Sequence, residues 1–309
     1  MTDDTASFLV RFWGVRGSYP TPGPHTIRYG GNTSCVEVEV GSRTIILDAG
    51  SGIIRLGYDL LRRSAGESLD VSLFITHGHG DHLIGLPFFN PLYEKRTRID
   101  FFGPRLDGRS IEHLVTPIMS QPYFPVDMRK LPSQRTFHTL DGFEHILWRK
   151  GASEPIITRD AQRAQDGDVH IMVTLTNSHP LNGAAVYRIE YGGRSLVYAT
   201  DVEWRDHCEA AFLAFVDKAD VLIHDAQYTT SDYKQARQGF GHSTIEMATD
   251  VAREAQVRRL ILFHHEPTYN DDKLDAMQAD ARAQFPRTYT SYEGMEIDML
   301  MDDPMRGKQ

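Results

Sequence analysis

Five times along this chain a run of apolar residues stops and a histidine or aspartate follows. VSLFIT (71–76) runs into His77, VHIMVTLTN precedes His179, RSLVYAT stops at Asp201, VLIHDA carries Asp225 and RLILFH ends on His264. Short apolar runs of this kind read as buried strands, and polar residues at their ends place ionisable groups along one edge of a sheet core. The strand fixes the backbone and the loop presents the side chain. Residues 7–48 supply three more strands, SFLVRFWG, CVEVEV and RTIILDAG, separated by a loop rich in Gly and Pro. IIRLGYDLLRRS (53–64) has apolar residues at helical spacing, and helices are expected at 109–119, 205–217, 243–256 and 271–284. Strands alternating with helices imply a layered α/β architecture with sheets inside and helices outside.

The densest signal is His77-Gly78-His79-Gly80-Asp81-His82, four potential ligands in six residues. Imidazole and carboxylate together suit zinc, manganese or iron, and a set without thiolates argues against a purely structural zinc knot. Burying so many ionisable groups without a cation is costly. Gly78 and Gly80 permit the tight turn. His264 and His265 are neighbours at a strand end and point in opposite directions, so either one or the other faces the cluster, and His264 is taken as the later ligand.

Composition narrows the partners. The net charge of -9 over 309 residues argues against a large basic footprint for duplex DNA or structured RNA. No run approaches the roughly 18 apolar residues of a membrane-spanning helix, and MTDDTASFLVRFWG is acidic where a signal peptide is basic, so a cytoplasmic chain with no membrane contact is expected. Cys35 and Cys208 make no disulfide framework and are expected to be buried apolar residues. No repeat or linker divides residues 1–309, which are read as one domain. The least regular part, about 88–165, is read as an insertion near the site, either a lid or a packing layer.

The His-x-His-x-Asp-His run, followed by a later His, Asp and His at strand ends, resembles the metallo-β-lactamase superfamily, and the order matches over nearly the whole chain. That resemblance implies an αββα sandwich, two central mixed β-sheets flanked by helices. It implies two divalent metals, zinc first and manganese as the alternative. His77, His79 and His179 would hold one metal, Asp81, His82 and His264 the other, and Asp201 would bridge them. Two-metal sites generate a nucleophile near neutral pH and stabilise charge on the attacked centre. Asp81 is placed to orient or deprotonate the attacking water.

LIHDAQY (222–228), GHST (241–244) and LILFHHEP (260–267) are similar to the phosphodiesterase branch, which contains ribonuclease Z and small cyclic-phosphate diesterases. There His242 would act on the scissile phosphate or leaving oxygen and Asp225 would orient it. Chemistry agrees, because a His paired with a carboxylate is a good general acid near neutral pH. Ser243 followed by Glu246 forms a capping-box pattern that puts His242 just before a helix. FWGVRGSYPTPG (12–23), GGNTSC (30–35) and LDAGSG (47–52) resemble loops bordering the metals in this branch; Arg16, Asn32, Thr33, Ser34 and Thr244 are candidate phosphate contacts.

Ribonuclease Z carries a long arm between the positions matching His179 and Asp201, whereas here residues 180–200 read as a simple hairpin turning at Tyr191–Arg194. With the acidic charge, this leads to the expectation of a hydrolase of phosphoric diesters acting on a small cyclic nucleotide or cyclic phosphate, with no large folded RNA as partner. The resemblance implies a homodimer. Two alternatives stay open: an ester, thiolester or lactam hydrolase, which has no need of the His242 and Asp225 pair, and a non-catalytic ligand-sensing module, which is free to lose ligands.

Overall fold

The structure is a computed structural model that describes residues 7–180, 183–205, 208–302 and 305–306. Alternation in the apolar runs becomes two sheets, each of eight strands among the described residues. The first contains β1 (Phe8–Gly14), β2 (Cys35–Val40), β3 (Arg43–Leu47), β4 (Leu69–Phe74), β5 (Thr97–Pro104) and β6 (Gln134–Leu140). The second contains β7 (His145–Trp148), β8 (Ile156–Thr158), β9 (Val169–Thr176), β10 (Ala184–Tyr191), β11 (Arg194–Ala199), β12 (Val221–Asp225), β13 (Leu260–Phe263) and β14 (Thr288–Thr290). β15 (Glu296–Asp298) and β16 (Met305–Arg306) return to the edge of the first, whose order is β16-β15-β1-β2-β3-β4-β5-β6. The second runs β14-β13-β12-β11-β10-β9-β7-β8.

Both sheets are mixed. β3 to β6 run parallel in the first, as do β11 to β14 in the second, and the other pairs are antiparallel. Parallel strands need crossover connections, and helices supply them. α1 (Ile53–Arg63) buries Ile53, Leu56, Gly57 and Leu60, one apolar stripe at i, i+3, i+4 and i+7. With α2 (Ile111–Val115) it covers the outer face of the first sheet. α3 (Ala210–Val216), α5 (Ile245–Glu254) and α6 (Asp271–Gln284) cover the second sheet, and α4 (Thr230–Ala236) follows β12. Between the sheets lies a core of Phe8, Phe12, Phe74, Phe102, Tyr187 and Phe263 with many β-branched residues. The result is the four-layer αββα sandwich that the resemblance implies.

Three local expectations shift. Residues 88–165 deliver β5 and β6 to the first sheet and β7 and β8 to the second. The cap of α5 is Thr244, one residue after Ser243; its hydroxyl accepts from the Met247 amide at 3.2 Å. Cys35 is buried as expected, but Cys208 is only half-buried. The hairpin between β10 and β11 forms as read, with Tyr191 facing Arg194 across Gly192 and Gly193 in left-handed backbone.

Candidate metal centre

The parallel strands all aim their carboxyl ends at one rim, so residues just past β3, β4, β11, β12 and β13 converge there. Asp48, Asp201 and His264 each turn one or two residues beyond a strand and adopt left-handed backbone, with φ of 63°, 55° and 62°. Non-glycine residues pay for that conformation in strain, which persists where surrounding contacts over-determine it.

Two groups of possible ligands result. His77, His79, His179 and Asp201 each offer an atom within 4.8 Å of the others, as do Asp81, His82, Asp201 and His264. Asp201 belongs to both. Its Oδ2 lies 3.5 Å from His77 Nε2 and 3.8 Å from His179 Nε2, while Oδ1 lies 3.2 Å from both His82 Nε2 and His264 Nε2. The far nitrogens of three rings are already held: His82 Nδ1 donates to Asp48 at 2.8 Å, His179 Nδ1 to the Gly241 carbonyl at 2.9 Å and His264 Nδ1 to Gln227 Oε1 at 3.0 Å. Such outer partners fix the tautomer and leave Nε2 as the coordinating atom.

The residues present fit a pair of divalent cations. His77 Nε2 and His82 Nε2 are buried with no hydrogen-bond partner among the described residues. A lone-pair nitrogen facing a carboxylate oxygen at 3.2 Å needs either a proton or a metal between them. Charge balance says the same. Burial opposes a proton on His82, yet Asp201, Asp81 and Asp48 together hold it well above its ordinary value. Burial drives His77 well below, reinforced by His82. Asp201 resists burial and stays well below the usual carboxylate range because His264, His82 and His77 surround it.

A third overlapping group, Asp201, Asp225, His242 and His264, has different chemistry. Asp225 Oδ2 accepts from His242 Nδ1 at 2.7 Å, and its Oδ1 accepts the backbone N–H groups of Gln227 at 3.0 Å and Ser243 at 3.2 Å. Both oxygens are therefore committed, and this carboxylate orients a histidine. The ring of His242 stacks on His264, with centroids 4.8 Å apart. Burial works against its proton, but Asp225, followed by Asp201 and Asp81, raises its pKa to about 9.

The loop bearing His242 is stapled by Glu203, which accepts from the amides of Gly239 at 2.7 Å and Gly241 at 2.9 Å and from the Tyr233 hydroxyl at 2.7 Å. Gly241 has φ +89°, and a Cβ there would run into the Pro180 ring and the His179 imidazole. Gly241→Ala is expected to cost about 1–3 kcal/mol from overpacking and strain, seen as a lower melting temperature. An unchanged melting temperature would show that the loop can move aside.

Four of the five candidate phosphate contacts, Arg16, Asn32, Thr33 and Thr244, have side-chain partners within the chain. Arg16 is wholly buried, and its guanidinium donates to the carbonyls of Gly30, Glu266 and Tyr269 at 2.9, 3.1 and 2.7 Å. Asn32 is clasped by Glu293 and Ser51, Thr33 pairs with Ser51, Ser34 is buried, and Thr244 caps α5. Arg16 Nη2 and Ser34 Oγ are buried with no hydrogen-bond partner among the described residues. His265 turns away as expected, its Nε2 donating to the Ser291 carbonyl at 2.9 Å. Sequence reasoning missed Asp48, Gln227 and Glu203. Asp48 carried a usable signal, since it too follows an apolar strand, RTIIL.

A family model for the beta-lactamase superfamily domain matches residues 43–265. Ribonuclease Z of Thermoplasma acidophilum is 26% identical across 95% of this chain and 97% of its own length. Ribonuclease Z of Picosynechococcus is 30% identical across 79% of this chain and 83% of its own length. Among solved structures, the metallo-beta-lactamase fold protein YhfI of Bacillus subtilis superposes with a TM-score of 0.65 at 18% identity, covering 94% of this chain and 98% of that one. The short form of human tRNase Z does so with 0.60 at 19%, covering 95% and 100%. These relatives overturn the expectation of a small substrate and no large folded RNA. The inference failed because net charge averages over the whole surface, and because a missing arm removes a grip without altering the cutting site. Family match, fold and convergent ligands together place the chain in the beta-lactamase superfamily, within the phosphodiesterase branch, as a metal-dependent hydrolase of phosphodiester bonds.

Proposed function

We propose that this chain is an RNA endonuclease of the ribonuclease Z kind, cutting a phosphodiester in a structured RNA near its 3′ end. The observation that carries the reading is the His242 and Asp225 pair, 2.7 Å apart and set against the ligand cluster, in a chain whose ribonuclease Z relatives align from end to end. In this reading His77, His79 and His179 hold one cation, Asp81, His82 and His264 the other, and Asp201 is shared. Zinc is the first choice for a nitrogen-rich set and manganese the second. The bound pair would supply an activated water near neutral pH and neutralise charge building on the phosphoryl oxygens.

The chain's own residues do the rest. Asp81, steadied by the Ser18 amide at 2.7 Å, orients the attacking water. A ribose alkoxide is a poor leaving group, and protonation by the His242 ring lets it depart. Asp225 keeps that ring turned and charged. The test is incubation of metal-stripped protein, refilled with zinc or manganese, with a precursor transfer RNA bearing a 3′ trailer, beside bis(p-nitrophenyl) phosphate and a cyclic nucleotide. Metal-dependent cleavage at one position of the RNA is expected. Hydrolysis of the cyclic nucleotide with intact RNA would overturn the reading.

A further inference from the structure

On the other side of Tyr228 from His242, the loop containing Tyr19, the end of α4 and the segment leading into α6 enclose an open cleft of about 940 Å³. Its size lies at the upper end of ligand sites, about 300–1,000 Å³. The carboxylates of its wall are engaged. Asp232 pairs with Lys273 at 2.7 Å, and Glu266 accepts from Gln227 at 3.0 Å and from the Thr268 hydroxyl at 2.9 Å.

Arg237 is the exception. Its guanidinium forms no ion pair among the described residues, and its carbon lies 5.8 Å from the centre of the Tyr228 ring and 5.6 Å from that of Phe240. Aromatic faces attract a guanidinium and limit its wandering, while its N–H fork remains free for an anion. The same Tyr228 ring stands edge-on to His242, centroids 6.0 Å apart, so a single aromatic side chain separates the free cation from the proposed proton donor. Two rings nearby face solvent: Tyr19 in the cleft wall and Phe240 beside Arg237, each 51% exposed.

A guanidinium lying against aromatic faces one side chain from the cutting site, with exposed rings beside it and in the same cleft wall, matches a polynucleotide strand, which offers a phosphate at every nucleotide and a flat base between. A lone small diester has no second phosphate to give. We propose that this cleft is a strand-binding subsite, in which Arg237 clamps a phosphate adjacent to the scissile one and Tyr19 and Phe240 stack flanking bases. The proposal rests on the RNA reading above and supplies the grip that the short β10–β11 hairpin does not.

The test compares the full chain with Arg237→Ala and Arg237→Lys on the precursor RNA and on bis(p-nitrophenyl) phosphate across a range of salt. For Arg237→Ala, kcat/KM on RNA should fall about tenfold more than on the small diester, carried in KM. The slope of log kcat/KM against log salt should flatten by about 0.7, one phosphate contact on a single strand. Arg237→Lys should keep the slope and recover part of KM, since it keeps the charge and loses the fork. Equal losses on both substrates with an unchanged slope would overturn the subsite while leaving the endonuclease reading intact. If wild-type protein hydrolyses the small diester and leaves RNA whole, the endonuclease reading fails and the subsite with it. Tyr19→Ala, at an exposed position, gives a second variant should Arg237→Ala not fold; it should raise KM for RNA, and no rise would count against the stacking role.

Discussion

Replacing His242 by alanine should slow RNA cleavage by about 10²- to 10⁴-fold while the cation content stays at its wild-type level. The argument is geometric before it is electrostatic. Nδ1 is fixed on Asp225 at 2.7 Å, which leaves Nε2 as the one nitrogen able to serve the reacting phosphate. Burial opposes the charged ring, but Asp225 and the carboxylates behind it raise its pKa to about 9, so the ring starts with a proton to give. Bound cations, as like charges, bring that value down toward neutrality, where a donor is most efficient. The decisive comparison is between leaving groups. p-Nitrophenolate departs without help, so His242→Ala should lower kcat much less on bis(p-nitrophenyl) phosphate than on RNA. Equal losses on both would remove the proton-donor role, and loss of metal would reassign His242 as a ligand.

Asp201→Ala should empty both cation positions and reduce activity to below about a hundredth of wild type. No other carboxylate among the described residues stands between the two ligand trios, with one oxygen toward His77 and His179 and the other toward His82 and His264. Removing it takes a ligand from each position and leaves a cluster of buried imidazoles with less negative charge to balance them. By contrast, His179→Ala and His264→Ala each disturb mainly one position. Elemental analysis separates the cases: near-complete loss of both ions is expected for Asp201→Ala, and retention of two ions per chain would refute the bridging assignment.

Much of this centre was legible because its signal is local. An apolar strand followed by His or Asp needs no knowledge of the rest of the chain, and that pattern picked out His77, His179, Asp201, Asp225 and His264. The sandwich was legible for the same reason, since strand and helix periods are written in neighbouring residues. What stayed hidden depends on contacts between distant segments. Arg16, read as a candidate phosphate contact in a loop rich in Gly and Pro, is wholly buried, and its guanidinium bonds to the carbonyls of Glu266 and Tyr269, some 250 positions later. Gln227 carried no local signal, and its grip on His264 arises only when β12 and β13 lie side by side. The substrate class was misread because a summed charge carries no position. A total of -9 does not say where single cations such as Arg237, which forms no ion pair among the described residues, stand relative to the site.

The left-handed backbone at Asp48, Asp201 and His264 bears on how such a protein can change over generations. Each of these conformations holds about 1 kcal/mol or more that glycine, or often asparagine, would release. At Asp48 that release is outweighed, because the carboxylate accepts from the Thr76 amide and hydroxyl, His82 and the Tyr198 hydroxyl. The gains therefore lie at Asp201 and His264, the positions that gather the cations. A laboratory selection for heat resistance alone should drift toward tougher, inert descendants, and one that also demands cleavage will have to find its stability elsewhere in the sandwich.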